Sequence, residues 1–316
     1  MAKLGKAALR LIPLVLDNLV IRLNGRNASH RPYGTTKAQD QYIPPEVSKE
    51  KVALAEAIKE AETQTLGGRI YSATPNHPVG LDGLRILHLS DAHFGKRDDR
   101  LRLESYLAHL PGYDIAVFTG DCINRSGNDL EDYHYEFLRQ IRPKSGRKFF
   151  VPGNHEYFDT SAMGTIERQG FEILTNKSAQ LEHRGARYNI IGLDDATYGK
   201  IDVNAAMAGI GENDLNIMAL HNLDGLTDEV PAILDFALSG HTHAGIFNLG
   251  IIRGIDYLRK RGEFENINLQ ISGFKFLTDR TLSYISPGIF SYLSHKTHGR
   301  IERIWVQKPG MTVLTL

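Results

Sequence analysis

Several features that mark common protein classes are scarce in this chain of 316 residues. Cys122 is its only cysteine, so an intramolecular disulfide and a cysteine-based zinc finger are both excluded. The 37 Lys and Arg residues balance 37 Asp and Glu residues, and a chain without net charge has no bulk attraction for polyanions. The composition therefore argues against a protein that coats nucleic acid, and the single thiol points to a reducing compartment.

The chain also lacks a long uncharged apolar run. Its most apolar stretch, residues 7–23, is interrupted by Arg10 and Asp17, whereas about 18 nearly uncharged residues are needed to cross a bilayer. No small-residue cleavage site follows, so a signal peptide is not predicted. Six basic residues and one acidic residue within residues 1–31 are compatible with an amphipathic helix that is attracted to anionic lipid. Peripheral membrane contact through residues 1–26 and packing against protein are both left open.

Apolar residues make up 41% of the chain and charged residues 23%, the usual mix for a chain that buries a sizeable core. The residue pattern changes from helix-forming and polar stretches to short β-rich runs near residue 66. This change divides the sequence into an N-terminal helical arm with a linker, residues 1–65, and a main domain, residues 66–316. Within the arm, strong helix formers with apolar residues at i,i+3 and i,i+4 spacing predict a helix over residues 47–64.

Short β-rich runs alternate with helical stretches in the main domain. The predicted strands are 69–73, 85–90, 115–119, 148–152, 187–193, 216–220, 235–239, 281–286, 301–307 and 312–316. The predicted helices are 99–110, 128–142, 160–169 and 203–210. This alternation predicts an α/β layered domain, and the tail without helices predicts an antiparallel portion.

Residues of the types that commonly bind metal directly follow five of the predicted strands. They are Asp91 and His93, then Asp121, then Asn154 beside His155, then His221, and finally His241 and His243. Because sites in open α/β sheets are built at the carboxyl ends of strands, we expect these residues to meet at one rim. Each motif alone is weak evidence, but the ordered set of five, each after an apolar run, is strong.

The chemistry of this set is uniform. Imidazole nitrogen combined with carboxylate and amide oxygen suits divalent Mn, Fe, Zn or Co. The seven candidate ligands are too many for one ion but suit two, provided that one carboxylate bridges them. Two ions about 3.5–4 Å apart can hold a hydroxide and clamp a phosphoryl group during in-line attack. His155, beside Asn154, fits a general acid for the leaving oxygen.

In this order the five motifs resemble those of the calcineurin-like metallophosphoesterase superfamily, and the resemblance extends over residues 66–316. It implies a two-sheet β-sandwich flanked by helices. The ligands that it implies for the first ion are Asp91, His93, Asp121 and His243. Those implied for the second ion are the bridging Asp121 with Asn154, His221 and His241. His155 is the implied proton donor to the substrate.

Longer stretches are similar to the membrane-associated phosphodiesterase branch of that superfamily. They are GLDGLRILHLSDAHFG, IIGLDDATYGKID, MALHNLD and LSGHTHAG. This branch includes enzymes of the UDP-2,3-diacylglucosamine pyrophosphatase type. Two departures stand out: Ala244 and Ile246 replace a more usual Gly-Gly-Gln continuation, and Asn124 stands where protein phosphatases have an Asp. The second departure argues against the protein-phosphatase branch.

The resemblance implies a dinuclear-metal phosphoesterase that uses metal-bound hydroxide, with Mn as the expected ion. Its expected reaction is hydrolysis of a phosphodiester or pyrophosphate bond in a lipid-linked substrate such as UDP-diacylglucosamine, in the cytoplasm at the inner face of the membrane. No nucleic acid partner is expected. Two alternatives stay open: a soluble nucleotide phosphodiesterase, and a metal-binding interaction scaffold that has lost catalysis.

Overall fold

The structure is a computed structural model, and it describes eight segments of the chain. They are residues 59–60, 68–72, 83–95, 100–127, 130–226, 230–243, 273–289 and 310–316. The predicted amphipathic helix within residues 1–26, nearly all of the helix predicted over 47–64 and the strand predicted at 301–307 lie outside the described residues.

Seven strands form the first sheet. They are β1 (Lys59–Glu60), β2 (Gly68–Ser72), β3 (Arg85–Leu89), β4 (Ile115–Phe118), β5 (Lys148–Phe150), β6 (Glu172–Ile173) and β13 (Met311–Thr315). Their order across the sheet is β1-β2-β13-β3-β4-β5-β6. Strands β3 to β6 run parallel to one another, and β13 is antiparallel to β3. The carboxyl ends of β3, β4 and β5 therefore meet at one edge of this sheet.

Six strands form the second sheet. They are β7 (Lys177–His183), β8 (Ala186–Gly192), β9 (Leu215–Ala219), β10 (Phe236–Ser239), β11 (Gly273–Phe276) and β12 (Leu282–Ile285). Their order is β11-β12-β10-β9-β8-β7. Strands β8, β9, β10 and β12 run parallel, while β7 and β11 are antiparallel at the two edges. The antiparallel portion that was predicted for the tail is present in the pairs β11–β12 and β13–β3.

Four α-helices connect the strands within the described residues. They are α1 (Arg100–Ala108), α2 (Asp132–Gln140), α3 (Ser161–Arg168) and α4 (Val203–Ala206), with 3₁₀ turns at Glu156–Phe158 and Leu223–Leu226. Helix α2 begins later than predicted because the Glu131 backbone N–H is capped by the His134 ring, at 2.8 Å. Helix α4 is shorter than predicted because Gly209 follows with a φ of 78°, which a continuing helix does not tolerate.

The helix predicted over residues 47–64 is wrong at the part that the structure describes. Lys59 and Glu60 are extended and pair antiparallel with Ser72 and Tyr71 at the edge of the first sheet. Lys and Glu are strong helix formers, but their preferences amount to tenths of a kcal/mol per residue, and the ladder hydrogen bonds of a sheet edge outweigh them. Strands β6, β7 and β11 are not in the prediction.

The apolar side chains of the strands alternate between two faces of each sheet. In the first sheet, Ile86 and Val117 point into a core shared with Ile217 of the second sheet. Their neighbours Leu87 and Phe118 lie in a separate core beneath the helices. Both faces of the parallel strands are thus covered, as the near-continuous apolar runs indicated. The predicted α/β fold, a two-sheet β-sandwich flanked by helices, is confirmed.

Candidate metal centre

The candidate residues follow the carboxyl ends of five strands, and these ends lie at the same rim of the sandwich. Strands β3, β4 and β5 of the first sheet and β9 and β10 of the second deliver them within a few residues of each strand end. All eight are described: seven of them are buried, and His155 is partly buried. The structure brings the seven predicted ligands into two adjoining clusters.

The first cluster consists of four buried side chains. They are Asp91, His93, Asp121 and His243, and each offers one ligand atom within 4.8 Å of the others. The Nε2 atoms of His93 and His243 lie 2.9 Å apart, and His243 Nε2 is 3.3 Å from Asp91 Oδ1. His93 Nε2 is 3.4 Å from Asp121 Oδ2. Two atoms that bind one ion at about 2.1 Å and at right angles are about 3 Å apart, so these spacings fit a common ion.

The second cluster shares Asp121 with the first. Asp121, His221 and His241 each offer one ligand atom within 4.8 Å of the others. His221 Nε2 lies 3.3 Å from Asp121 Oδ2, 3.1 Å from His241 Nδ1 and 3.1 Å from Asn154 Oδ1. The Asn154 amide oxygen therefore completes a second set of donors beside the same carboxylate.

Backbone strain is concentrated at these ligands. Seven non-glycine residues among those described have a positive φ, and five of them are candidate ligands. Those five are Asp91 at 52°, His93 at 44°, Asp121 at 55°, His241 at 71° and His243 at 49°. This left-handed region is rarely occupied by residues with a Cβ, and it costs about 1–3 kcal/mol at each position. The surrounding fold holds this strain at the positions where the ligand atoms converge.

Two glycines allow the strand ends to approach one another closely. A Cβ on Gly153 would lie 2.4 Å from Asp121 Oδ1 and 2.9 Å from His221 Nδ1. A Cβ on Gly240 would lie 2.2 Å from Asp91 Oδ2. The GNHE and GHTH motifs therefore begin with glycine because no larger side chain fits against the neighbouring ligand.

A buried carboxylate joins two of the ligand-bearing loops. Glu156 accepts hydrogen bonds from the backbone N–H groups of Asp121 and Cys122, both at 2.8 Å, and of Gly153, also at 2.8 Å. The backbone N–H of His155 donates in turn to Asp121 Oδ1, at 2.9 Å. Glu156 thus braces these loops through their backbone N–H groups.

The electrostatics of the clusters follow from their burial. Burial alone would raise the pKa of Asp121, but the imidazoles of His221 and His155 hold it well below its usual range. Burial alone would lower the pKa of His221, and Asp121 instead raises it well above the usual value. The pKa values of His93 and His243 are lowered, chiefly by burial. Burial, and then the Asp121 charge, raise the pKa of Glu156, while the backbone N–H groups of Gly153 and Asp121 oppose this shift by stabilising the carboxylate.

The donor set fits divalent cations. Two acidic side chains, Asp91 and Asp121, are buried among four histidines within a few ångströms. Neutral imidazoles such as those of His93 and His243 are the form that binds metal, and a cation compensates the buried carboxylates. Oxygen and nitrogen donors without thiolate suit ions such as Mn, Fe, Zn and Co, although this donor set does not single out one of them.

His155 lies at the edge of the clusters. Its ring Nδ1 is hydrogen-bonded to the backbone carbonyl of Asn124, and its Nε2 lies 3.9 Å from Asp121 Oδ2. Its ring packs edge-on against His93, with centroids 4.4 Å apart. With 13% of the side chain exposed, it is the most accessible of the predicted residues.

Several contributors to the site were not predicted. The backbone carbonyl of Thr119 binds His221 Nδ1 at 2.7 Å, and that of Asn124 binds His155. Backbone carbonyls carry no side-chain signal, so only the position directly after a strand could have indicated them. Asp194 and Asp195 are both buried. Asp194 accepts a hydrogen bond from the hydroxyl of Tyr157.

A comparison with known protein families supports the same function independently of the geometry. The profile of the calcineurin-like phosphoesterase family matches residues 84–276, which include all eight predicted residues. The chain belongs to this family. It is therefore a metal-dependent phosphoester hydrolase, with a small-molecule phosphoester as its substrate class.

Relatives share this domain at moderate identity. An uncharacterized metallophosphoesterase of Aquifex aeolicus is 26% identical over 82% of this chain and 95% of its own length. The uncharacterized metallophosphoesterase YkoQ of Bacillus subtilis is 28% identical over 65% of this chain and 76% of its own length. A protein of Danio rerio named transmembrane protein with metallophosphoesterase domain is 27% identical, and the match covers 68% of this chain but only 50% of that protein.

Solved structures resemble the chain more distantly. The NAD nucleotidase of Haemophilus influenzae has a TM-score of 0.41 and 14% identity, over 66% of this chain and 45% of that one. The phosphopantetheinyl hydrolase of Mycobacterium tuberculosis has a TM-score of 0.40 and 11% identity, over 72% of this chain and 97% of that one. Similarity at this level says nothing about the substrate. Within the described residues, no helix is long and apolar enough to span a membrane.

Proposed function

We propose that the chain is a dinuclear-metal hydrolase of phosphodiester or pyrophosphate bonds. The observation that carries the proposal is that two buried clusters of donors share one carboxylate, that of Asp121. A shared carboxylate between two sets of ligands is the arrangement that holds two ions at a short distance.

The assignment of ligands follows the two clusters. The first ion is assigned to Asp91, His93, Asp121 and His243, and the second to Asp121, Asn154, His221 and His241. Mn is the ion that we propose, and Fe, Zn and Co suit the same donors. When bound, such a pair of ions activates water and neutralises charge on the phosphoryl oxygens.

The chain itself supplies the remaining functions. The Asn124 carbonyl accepts the Nδ1–H of His155, which leaves Nε2 as the ring atom available to the leaving oxygen; Nε2 donates a proton there when the ring is protonated on both nitrogens. Glu156 keeps the loops of Asp121 and Gly153 in register through their backbone N–H groups. The strained backbone at Asp91 and His241 directs both side chains before a substrate arrives.

The finer proposal is a lipid-linked substrate such as UDP-diacylglucosamine at the inner face of the membrane. Similarity to the membrane-associated branch and the basic, apolar character of residues 1–26 support it. Residues 66–316 would then be the catalytic domain, and residues 1–65 an arm that brings it to the lipid surface. A soluble nucleotide phosphodiesterase is the second candidate, since the Phe158–Tyr198 pair described below provides rings beside the clusters.

A chromogenic assay tests the hydrolase. The protein purified with Mn²⁺ should cleave bis-p-nitrophenyl phosphate, and Asp121→Ala should abolish turnover because both clusters lose a ligand. His155→Ala should slow it, whereas His109→Ala, at an exposed position directly after α1, should leave the rate unchanged. Full activity of both Asp121→Ala and His155→Ala would refute the proposal.

A second assay separates the two substrate classes. A lipid extract is incubated with the wild type or with Asp121→Ala, and the products are identified by mass spectrometry. Lipid-derived products that depend on Asp121 and on residues 1–26 support the lipid-linked substrate. Turnover of a soluble nucleotide without lipid, unchanged by deletion of residues 1–26, supports the nucleotide phosphodiesterase instead.

A further inference from the structure

Two aromatic rings lie exposed next to the site. Among the described residues, the exposed large apolar side chains are Leu101, Phe158 and Tyr198, and Phe158 and Tyr198 are 51% and 54% exposed. Their ring centroids are 5.8 Å apart at an interplanar angle of 63°. The ring of Phe158 also contacts that of His155, at 5.0 Å. Exposed apolar surface that is contiguous and adjoins a site marks a place for a ligand.

The segment that carries Phe158 is fixed by the site itself. Phe158 ends the 3₁₀ turn Glu156–Phe158, and its backbone N–H donates to the carbonyl of His155 at 3.0 Å. Glu156, at the start of the same turn, is held by the backbone N–H groups at the strand ends. The position of the Phe158 ring relative to His155 is thus set by the same contacts that shape the centre.

The segment that carries Tyr198 is equally well fixed. Asp195 Oδ2 accepts from the backbone N–H groups of Thr197 and Tyr198, at 2.9 and 2.7 Å, and Asp194 Oδ2 accepts from that of Lys200 at 2.8 Å. A Cβ on Gly199 would lie 2.3 Å from Asp194 Oδ1, so the turn closes directly on that carboxylate.

One hydrogen bond joins the two segments. The hydroxyl of Tyr157 donates to Asp194 Oδ1. Tyr157 immediately precedes Phe158, and Asp194 supports the turn that presents Tyr198. The two exposed rings therefore stand on a braced frame, and a ligand that stacks on them does not need to order them first.

We propose that Phe158 and Tyr198 form a stacking subsite for a planar heteroaromatic ring of the substrate, on the His155 side of the reacting phosphate. This inference rests on the proposed function and names its substrate class: a phosphoester that bears a nucleobase. Two rings set edge to face leave an aromatic surface on which a base can stack. An acyl chain would need a longer apolar surface, and Leu101 is the remaining exposed large apolar side chain of the described residues.

The test measures binding and does not require turnover. Isothermal titration calorimetry on the full chain with Mn²⁺ compares uridine 5′-monophosphate with ribose 5-phosphate, which lacks only the base. We expect the wild type to bind the nucleotide at least about tenfold more tightly, since stacking on aromatic side chains commonly gives this discrimination. Equal affinities for the two compounds would overturn the inference.

Variants assign the discrimination to the two rings. Phe158→Leu keeps apolar volume without the ring, and Tyr198→Ala removes the second ring; each should reduce the preference for the nucleotide severalfold. Phe158→Tyr keeps an aromatic ring at this position and should keep the wild-type preference for the nucleotide. Leu101→Ala, which changes the exposed side chain outside the pair, should keep it as well. A preference that survives in Phe158→Leu and Tyr198→Ala, with circular dichroism showing both folded, would overturn the inference.

The failures of the two proposals are distinguishable. If the wild type does not cleave bis-p-nitrophenyl phosphate, the proposed hydrolase is wrong, whatever the calorimetry shows. If it cleaves that diester but binds the two phosphates equally, the hydrolase stands and the stacking subsite is wrong.

Discussion

The Glu156 carboxylate accepts a hydrogen bond from the backbone N–H of Asp121 at 2.8 Å, and this contact ties the loop that carries Asn154 and His155 to the loop that carries the shared ligand. Its Oε2 atom also accepts from Gly153, and its Oε1 from Cys122. The acid that follows His155 in the sequence thus fixes the shared ligand through its backbone. The candidate centre is thus braced by a residue that is not among its predicted ligands.

We expect Glu156→Gln to weaken both the fold and the centre. A Gln amide presents an NH₂ group to backbone N–H donors, so at least one donor loses its acceptor in a buried place, at a cost of about 1–3 kcal/mol. Urea denaturation measures the loss of unfolding free energy, and calorimetry measures Mn²⁺ affinity. Glu172→Gln, which alters a half-exposed ion pair with Arg147, is the matched control. Wild-type stability and Mn²⁺ affinity in Glu156→Gln would contradict this account.

Gly153→Ala tests the close approach of the strand ends. The new methyl group would lie 2.4 Å from Asp121 Oδ1 and 2.6 Å from the Asp121 backbone nitrogen, so the shared ligand must move. A displacement of this kind should reduce kcat by about 100-fold. The control is Gly164→Ala on helix α3, where the nearest atom is 3.7 Å away on a flexible Arg168 side chain. Equal activities of the two variants would show that the GNHE glycine is not needed for packing.

His155→Ala should discriminate between leaving groups. A p-nitrophenolate leaves without a proton, whereas an alkoxide requires one, and general acids contribute about 100- to 10,000-fold. The loss of kcat should therefore be much larger with glycerophosphocholine than with bis-p-nitrophenyl phosphate. An equal loss on both substrates would mean that His155 positions the substrate or the metals and does not transfer a proton.

The buried His88 gives a pH dependence that is separate from the centre. Burial lowers its pKa from 6.5 to about 3, and its Nε2 is hydrogen-bonded to Thr119 Oγ1 at 2.9 Å. Below pH 6.5 the unfolded chain gains a proton here and the folded chain does not, down to about pH 3. Unfolding free energy should therefore fall with acidification across this window, by up to about 1.4 kcal/mol per pH unit from this group.

A pair of variants isolates this contribution. His88→Gln keeps a polar partner for Thr119 but does not titrate, so its loss of stability on acidification should be shallower than that of the wild type. His109→Gln, at an exposed position, should follow the wild type. Urea unfolding at several pH values within the window measures the slopes, and identical slopes for wild type and His88→Gln would exclude the contribution.

The sequence predicted which side chains the structure brings together at the candidate site, but not the backbone conformations and backbone carbonyls that hold them. Asp91 and His241 are far apart in the chain, but each follows an apolar run, and parallel strands that end together brought them into contact. The positive φ at Asp91 and the carbonyl of Thr119 leave no trace in residue type, and so could not be predicted.

The missed elements have a similar explanation. Strand β7, Lys177–His183, lies at a sheet edge, and all of its side chains except that of Ala179 are exposed or partly buried, so its apolar signal is weak. Lys59 and Glu60 favour a helix by composition, and only pairing with β2 makes them extended. The Phe158–Tyr198 pair arises from two loops that the Tyr157–Asp194 hydrogen bond joins. Contacts of this kind are properties of the folded chain and not of local sequence.

A crystal structure of the Mn²⁺-loaded protein, with anomalous scattering to locate the ions, tests the central claim most directly. The account predicts two peaks about 3.5–4 Å apart with the Asp121 carboxylate between them. His93 and His243 should lie on one ion, and His221 and His241 on the other. A single ion, or two ions of which neither contacts Asp121, would contradict it.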